Sequence, residues 1–306
     1  MHATPTTLLE GQLAFLDAQI PGIRDGDIEA IHDGRVATRR VRELLPLCRP
    51  EQSTGDEFRR TIRDVGRGLG RVRDLDVEIA LLELLEQRVP RAGSLFALRR
   101  HAAGAKRQRR LRKLLKGLPD RLSPRARFLL IRSPRQVVHD RVWPAGWRTT
   151  LRDQLQSRRQ EAEGAVAHAG GVYFPNRLHE ARIAVKKLRY SAELAVATGV
   201  AAIRPRVIRR FRKAQDALGE IHDWQLLLSA LEATPSSDAN GSETVIMLLR
   251  SDIAARHRRF LERRNDLLSA CHAVRAPQSA LTARRVAPVA AALGITALYA
   301  VARSRQ

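Results

Sequence analysis

With 306 residues and 44% apolar side chains, the chain is long enough to bury a core in one large or two ordinary domains and too hydrophobic to be disordered. Its 55 basic and 32 acidic residues leave a formal charge of +23, which makes acidic polymers the first candidate partners. Only six of the basic residues are lysine, and the remaining arginines are the side chains that grip phosphate bidentately.

The N-terminal stretch MHATPTTLLEGQLAFLDAQ carries acids where a secretion signal needs a basic start and an unbroken apolar run, so secretion is not expected. Apolar periodicity between prolines and small loops predicts eight helices, at about 6–19, 27–47, 56–88, 94–117, 144–168, 176–198, 205–232 and 242–272. Pro21 should close the first of them, and Asp27 and Asn176 stand where side-chain caps would open the second and sixth. Period-two alternation of β-branched residues is nowhere sustained, so the fold class is all-α. Cys48 and Cys271 have no metal-type spacing and read as reduced core thiols. Residues 286–302, VAPVAAALGITALYAVA, form an uncharged run between arginines. They read as a packing helix or a loose tail, with contact to a membrane surface as the lesser alternative.

The chain repeats itself. IHDGRVATRRVR at 31–42 returns as LHEARIAVKKLR at 178–189. GLGRVRDLDV at 68–77 returns as ALGEIHDWQL at 217–226, and AKRQRRL at 105–111 as AARHRRF at 254–260. Three blocks in one order imply a duplicated unit, about 1–120 and 135–272, joined by the Pro- and Arg-rich LPDRLSPRARFLLIRSPRQ. Two such helical halves are expected to pack as one pseudo-symmetric bundle spanning about 1–275, with 276–306 as a basic and apolar tail.

At about 100° per residue, His32, Arg35, Arg39 and Arg42 share one helix face, and His179, Arg182, Lys186 and Arg189 make the same stripe in the second copy. Ordinary surface helices mix acids with bases at this spacing, whereas these stripes are wholly cationic and repel themselves unless something offsets the cost. Arg60, Arg63, Arg67 and Arg71 continue the pattern. Arg209 and Arg212 match only the first two, with Asp216 and Glu220 replacing the others, so the site should be lopsided. Arg107 and Arg110, with Arg256 and Arg259, add a third basic row, and Asp74 and Asp223 are placed to orient neighbouring arginines. Successive phosphates suit these forks, and the histidines should donate to phosphate and charge toward pH 6.5 rather than hold metal. No GxxxxGK[ST] loop and no cluster of metal-holding carboxylates occurs, and GRGLG at 66–70 reads as a close helix contact. Neither an enzyme nor a cofactor or metal is expected.

The duplicated HxxRVxxRRxR and HxxRIxxKKLRY blocks, with RDLDV and LGEIHDWQ, resemble the CHAD family, the conserved-histidine α-helical domains, over about residues 5–275. That resemblance implies two four-helix halves around a basic central channel that binds inorganic polyphosphate, in proteins that associate with polyphosphate granules in the bacterial cytoplasm. Its basic positions fall here on His32, Arg35, Arg39, Arg40 and Arg42, and on His179, Arg182, Lys186, Lys187 and Arg189. Gly34 departs from the family's bulkier residue and is expected to loosen its helix by about 1 kcal/mol. The ExExK signature of the CYTH domain that often accompanies this family is absent. Nonspecific nucleic-acid binding is the alternative reading, weakened by an aromatic content of 4% and by the lack of stacking residues within the Arg35–Arg42 stripe.

Overall fold

The computed structural model describes residues 2–48, 52–118, 146–234 and 239–274. Among them lie eight α-helices and no strand: α1 (Pro5–Asp25), α2 (Ile28–Cys48), α3 (Gln52–Arg88), α4 (Gly93–Lys116), α5 (Trp147–His168), α6 (Pro175–Ala197), α7 (Pro205–Glu232) and α8 (Ala239–His272). A single 3₁₀ turn, Pro90–Ala92, joins α3 to α4. The expected linker and the tail at 276–306, including the apolar run 286–302, lie outside the described residues. No described helix is long and apolar enough to cross a membrane.

Local chemistry accounts for most helix ends. Thr4 caps α1 by accepting from the Thr7 N–H at 3.2 Å ahead of Pro5. Asp27 opens α2 as expected, its Oδ1 accepting from the Ala30 N–H at 2.7 Å. Two expectations are corrected. Asn176 is not a cap, because Pro175 already occupies the first turn of α6 and the extended Phe174 precedes it. Pro21 does not end α1, which continues through it to Gly26 at φ +77°. Proline removes one internal donor, but Ile23 beyond it is fully buried, and that burial holds the last turn.

Each helix packs on the next in the order α1, α2, α3, α4, and the order recurs in α5, α6, α7, α8. Glycine sets the closeness of the first pairs. A Cβ on Gly22 would stand 2.6 Å from the Ala30 Cβ, and one on Gly34 would stand 2.8 Å from Ile23 Cδ1. Gly34 therefore admits the Ile23 side chain of α1 against α2. The glycines of GRGLG sit inside α3 and admit neighbours: Gly66 faces Thr38 of α2, and Gly68 faces Leu114 of α4. Cys48 and Cys271 are buried and free, and burial pushes both thiols up to about 12, which makes them inert packing groups.

The first four helices meet the last four along α2–α6 and α3–α7, with α2 also against α5. Polar ties lock this contact. Arg158 of α5 pairs with Glu43 of α2 and donates to Ser191 Oγ of α6 at 2.7 Å, while Arg88 of α3 pairs with Asp252 of α8. The α2–α6 seam is where the two copies of the opening motif come face to face.

Candidate functional site

Arg35 lies across α3 above Gly70, where a Cβ would come within 3.5 Å of its Nε, and donates to Asp74 Oδ1 at 3.0 Å. Arg39, one turn on, donates to the Tyr190 hydroxyl of α6 at 3.1 Å, a bond between the two motif copies. From the other side, α6 presents Arg182 and Lys186, and α7 adds His222 and Asp223.

The electrostatics show how closely these groups converge. Burial and then the charges of Arg39, Arg182, Arg35 and Arg42 push Lys186 down to about 7. Arg182 is lowered by burial, with Arg35 and Arg39 adding to the effect and Asp223 opposing it. Burial raises Asp223 even though Arg182, Arg35 and Arg73 pull the other way. Burial, Arg182 and His179 push His222 down to about 4, and its ring lies 4.8 Å from that of His179. His32 is lowered by burial and Arg73, and His179 by burial, Arg182 and Lys186. In the ligand-free protein these histidines are therefore neutral near pH 7 and charge only below the value expected of a free imidazole. The seam holds Arg35, Arg39, Arg42, Arg73, Arg182 and Lys186 against two carboxylates, Asp74 and Asp223.

The other expected ligands are either held by partners away from the seam or lie elsewhere on the surface. Arg107 pairs with the buried Asp76 and donates to the Gly26 carbonyl at 2.7 Å, tying α4 to α3 and α1. Arg256 lies over the Trp224 ring at 4.4 Å beside Asp252 and Glu220. Arg189 is buried, donating to Gln215 and Glu193, and Arg212 shares Glu193 at 3.0 Å. Lys187 turns to Glu161 of α5 at 3.4 Å. Arg40 falls roughly 140° around α2 from Arg35 at 100° per residue. Arg60, Arg209 and Arg259 are exposed, Arg63 is half-buried, and Arg67, Arg71 and Arg110 line a separate groove between α3 and α4. For Arg107, Arg256, Arg212 and Lys187 a neighbouring helix supplies a carboxylate or a ring that holds the side chain away from the seam.

The seam also contains residues that motif reading passed over. His222 and Arg73 occupy equivalent places, beside Asp223 and Asp74, inside blocks whose acids alone had drawn attention. Tyr190 ends the KKLRY block and receives Arg39. Among the described residues no group of three or more His, Cys, Asp or Glu is placed to hold a metal ion.

An all-α bundle with a cationic seam between two copies of one histidine-containing motif defines a class of basic helical domain. The sequence matches the family model of the CHAD domain over residues 7–232, and the chain belongs to that family. No curated protein matches it. Among solved structures it is similar to the CHAD domain from the plant Ricinus communis at 23% identity and a TM-score of 0.59, covering 90% of this chain and 94% of that one. It is likewise similar to PptA from Streptomyces chartreusis at 17% identity and a TM-score of 0.59, covering 88% of this chain and 97% of that one. At these identities the likeness speaks to the fold alone.

Proposed function

We propose that this protein binds inorganic polyphosphate without transforming it, along a channel at the α2–α6 seam between two pseudo-symmetric halves that form one unit over about residues 1–275. The observation that carries the reading is the meeting of the two cationic stripes, where Arg39 of α2 reaches the Tyr190 hydroxyl of α6 at 3.1 Å and Lys186 feels the charges of Arg39, Arg182, Arg35 and Arg42. Five arginines and Lys186 against two acids store repulsion that a polyanion relieves, and repeated guanidinium forks fit successive phosphate oxygens. Arg35, oriented by Asp74, and Arg39, oriented by Tyr190, present their remaining donors in fixed directions. Arg182 and Lys186 close the opposite wall. The reading assigns no catalytic step, because the seam's acids serve its arginines. It places the protein in the cytoplasm on polyphosphate granules, as family membership suggests.

The test is a calorimetric titration with long-chain polyphosphate at physiological salt, repeated over a salt series to count phosphates neutralised. The Arg39→Glu, Lys186→Glu double variant is expected to weaken binding by roughly 3 kcal/mol or more, over a hundredfold, with unchanged circular dichroism. No affinity in the wild type removes the reading. Displacement of polyphosphate by duplex DNA at equal phosphate concentration replaces it with nucleic-acid binding.

A further inference from the structure

A second cationic site lies away from the seam. A cavity of about 310 Å³ is lined by Lys106, Arg109, Arg110 and Lys113 of α4. A second cavity, of about 220 Å³, adjoins it between α3 and α4, sharing Arg110 and Lys113 and adding Arg67, Arg71 and Asp64. Together they make one furrow, closed at its floor where Leu114 meets Gly68. A Cβ on Gly68 would stand 2.6 Å from Leu114 Cδ1, so glycine permits the close approach of the two helices here.

The abundance of arginine does not explain this furrow. Several other cations on the same two helices are matched by acids: Arg99 with Glu78, Arg100 with Glu86, and Arg107 with Asp76. In the furrow six cations face one carboxylate, Asp64, which reaches only Arg67, at 3.9 Å. The duplication sharpens the contrast. The positions equivalent to Arg67, Arg71 and Lys113 are Asp216, Glu220 and Glu262, so at three of the six positions the second half carries an acid where the first carries a cation, while Arg109 and Arg110 are matched by Arg258 and Arg259. The seam motif, by contrast, is basic in both copies. The largest charges acting on Lys186, Arg182, His222 and Asp223 include none of the furrow's six cations, which sets the furrow apart from the seam.

We infer that the α3–α4 furrow is a second binding site for condensed phosphate, independent of the seam, so that one molecule engages two segments of chain at once. This inference rests on the seam reading. A ligand of closely spaced phosphates fits because Lys106, Arg110 and Lys113 lie one turn apart on α4, opposite Arg67 and Arg71, also one turn apart on α3, and both rows address one line of negative charge. Two sites on one rigid body bring a second segment of the same chain to a high effective concentration, or link separate chains.

Titration with tripolyphosphate separates the sites, since so short a ligand does not span both. The wild type is expected to show two binding events. The Arg110→Glu, Lys113→Glu variant should lose the weaker event and keep the tighter one. The Arg39→Glu, Lys186→Glu variant should lose the tighter event and keep the weaker. With long-chain polyphosphate, the turbidity produced by bridging should disappear in the furrow variant. Two undiminished events in Arg110→Glu, Lys113→Glu would overturn the furrow and leave the seam reading standing, as would loss of both events in the seam variant. No event in the wild type with tripolyphosphate would overturn the furrow, while the seam reading stands or falls on the long-chain titration. Lys113 is exposed and Arg110 half-buried outside the core, and Arg67→Glu with Arg71→Glu, on the other wall, should reproduce the loss if folding of the first variant is in doubt.

Discussion

Replacing Lys186 by arginine should uncouple phosphate binding from protons. In the free protein Lys186 sits at about 7 against an ordinary value of 10.5, so above neutrality most molecules carry it uncharged. A phosphate chain in the seam offsets the arginine field and draws the lysine back toward its ordinary value, so binding takes up a proton. If the bound lysine stays protonated, affinity falls about 50-fold between pH 7 and 9 through this group alone, close to tenfold per pH unit at the upper end. Arginine keeps its charge throughout and removes the slope. Calorimetry at pH 8.5 in two buffers of different ionisation enthalpy should give nearly one proton taken up by the wild type beyond that taken up by Lys186→Arg. Equal proton uptake in the two proteins would refute the reasoning. Stability carries the opposite dependence. Between about 7 and 10.5 the unfolded chain holds a proton that the folded chain has released, so this lysine makes the ligand-free fold more stable as pH rises through that window. Below about 7 both states are protonated and the repulsion is fully present. Urea midpoints at pH 7 and pH 9 should therefore lie further apart in the wild type than in Lys186→Met.

Two further predictions address the framework. Arg107→Ala strips the partner from Asp76, whose side chain is 1% exposed, and should cost about 3–5 kcal/mol by urea denaturation, while Arg110→Ala stays near neutral. Equal midpoints for the two would show that Arg107 is not holding α4 to α3. Gly22→Ala gains helix propensity of about 1 kcal/mol but forces a methyl to within 2.6 Å of the Ala30 Cβ, so a net loss of about 1–2 kcal/mol is expected, and a rise in melting temperature would contradict the close α1–α2 packing.

The eight helices were legible because each has an apolar stripe of period 3.6 and a proline, a glycine or an Asx cap at its ends. The misjudged ends, at Pro21 and Asn176, are places where the burial of Ile23 or a preceding Pro175 overrides the local signal. The cationic stripes were equally plain. Their destinations were not. Arg107 and Arg110 stand three residues apart in one basic block, yet the first is clamped by Asp76 and the Gly26 carbonyl while the second opens onto the α3–α4 furrow. A periodicity of charge gives the direction of a side chain around its own helix and carries no information about which acid on another helix awaits it.

Sequence alone determined the helical class, the repeated motif blocks and the family, because these depend on spacing along the chain. Tertiary structure decided which arginines remain available for an anion. That depends on carboxylates, carbonyls and rings brought in from helices tens of residues away, and on glycines such as Gly66 and Gly68 that let neighbouring side chains pack close against α3. Lys186 shows the difference: an ordinary basic residue in its motif, it acquires its depressed proton affinity only when α2 delivers Arg35, Arg39 and Arg42 across the seam.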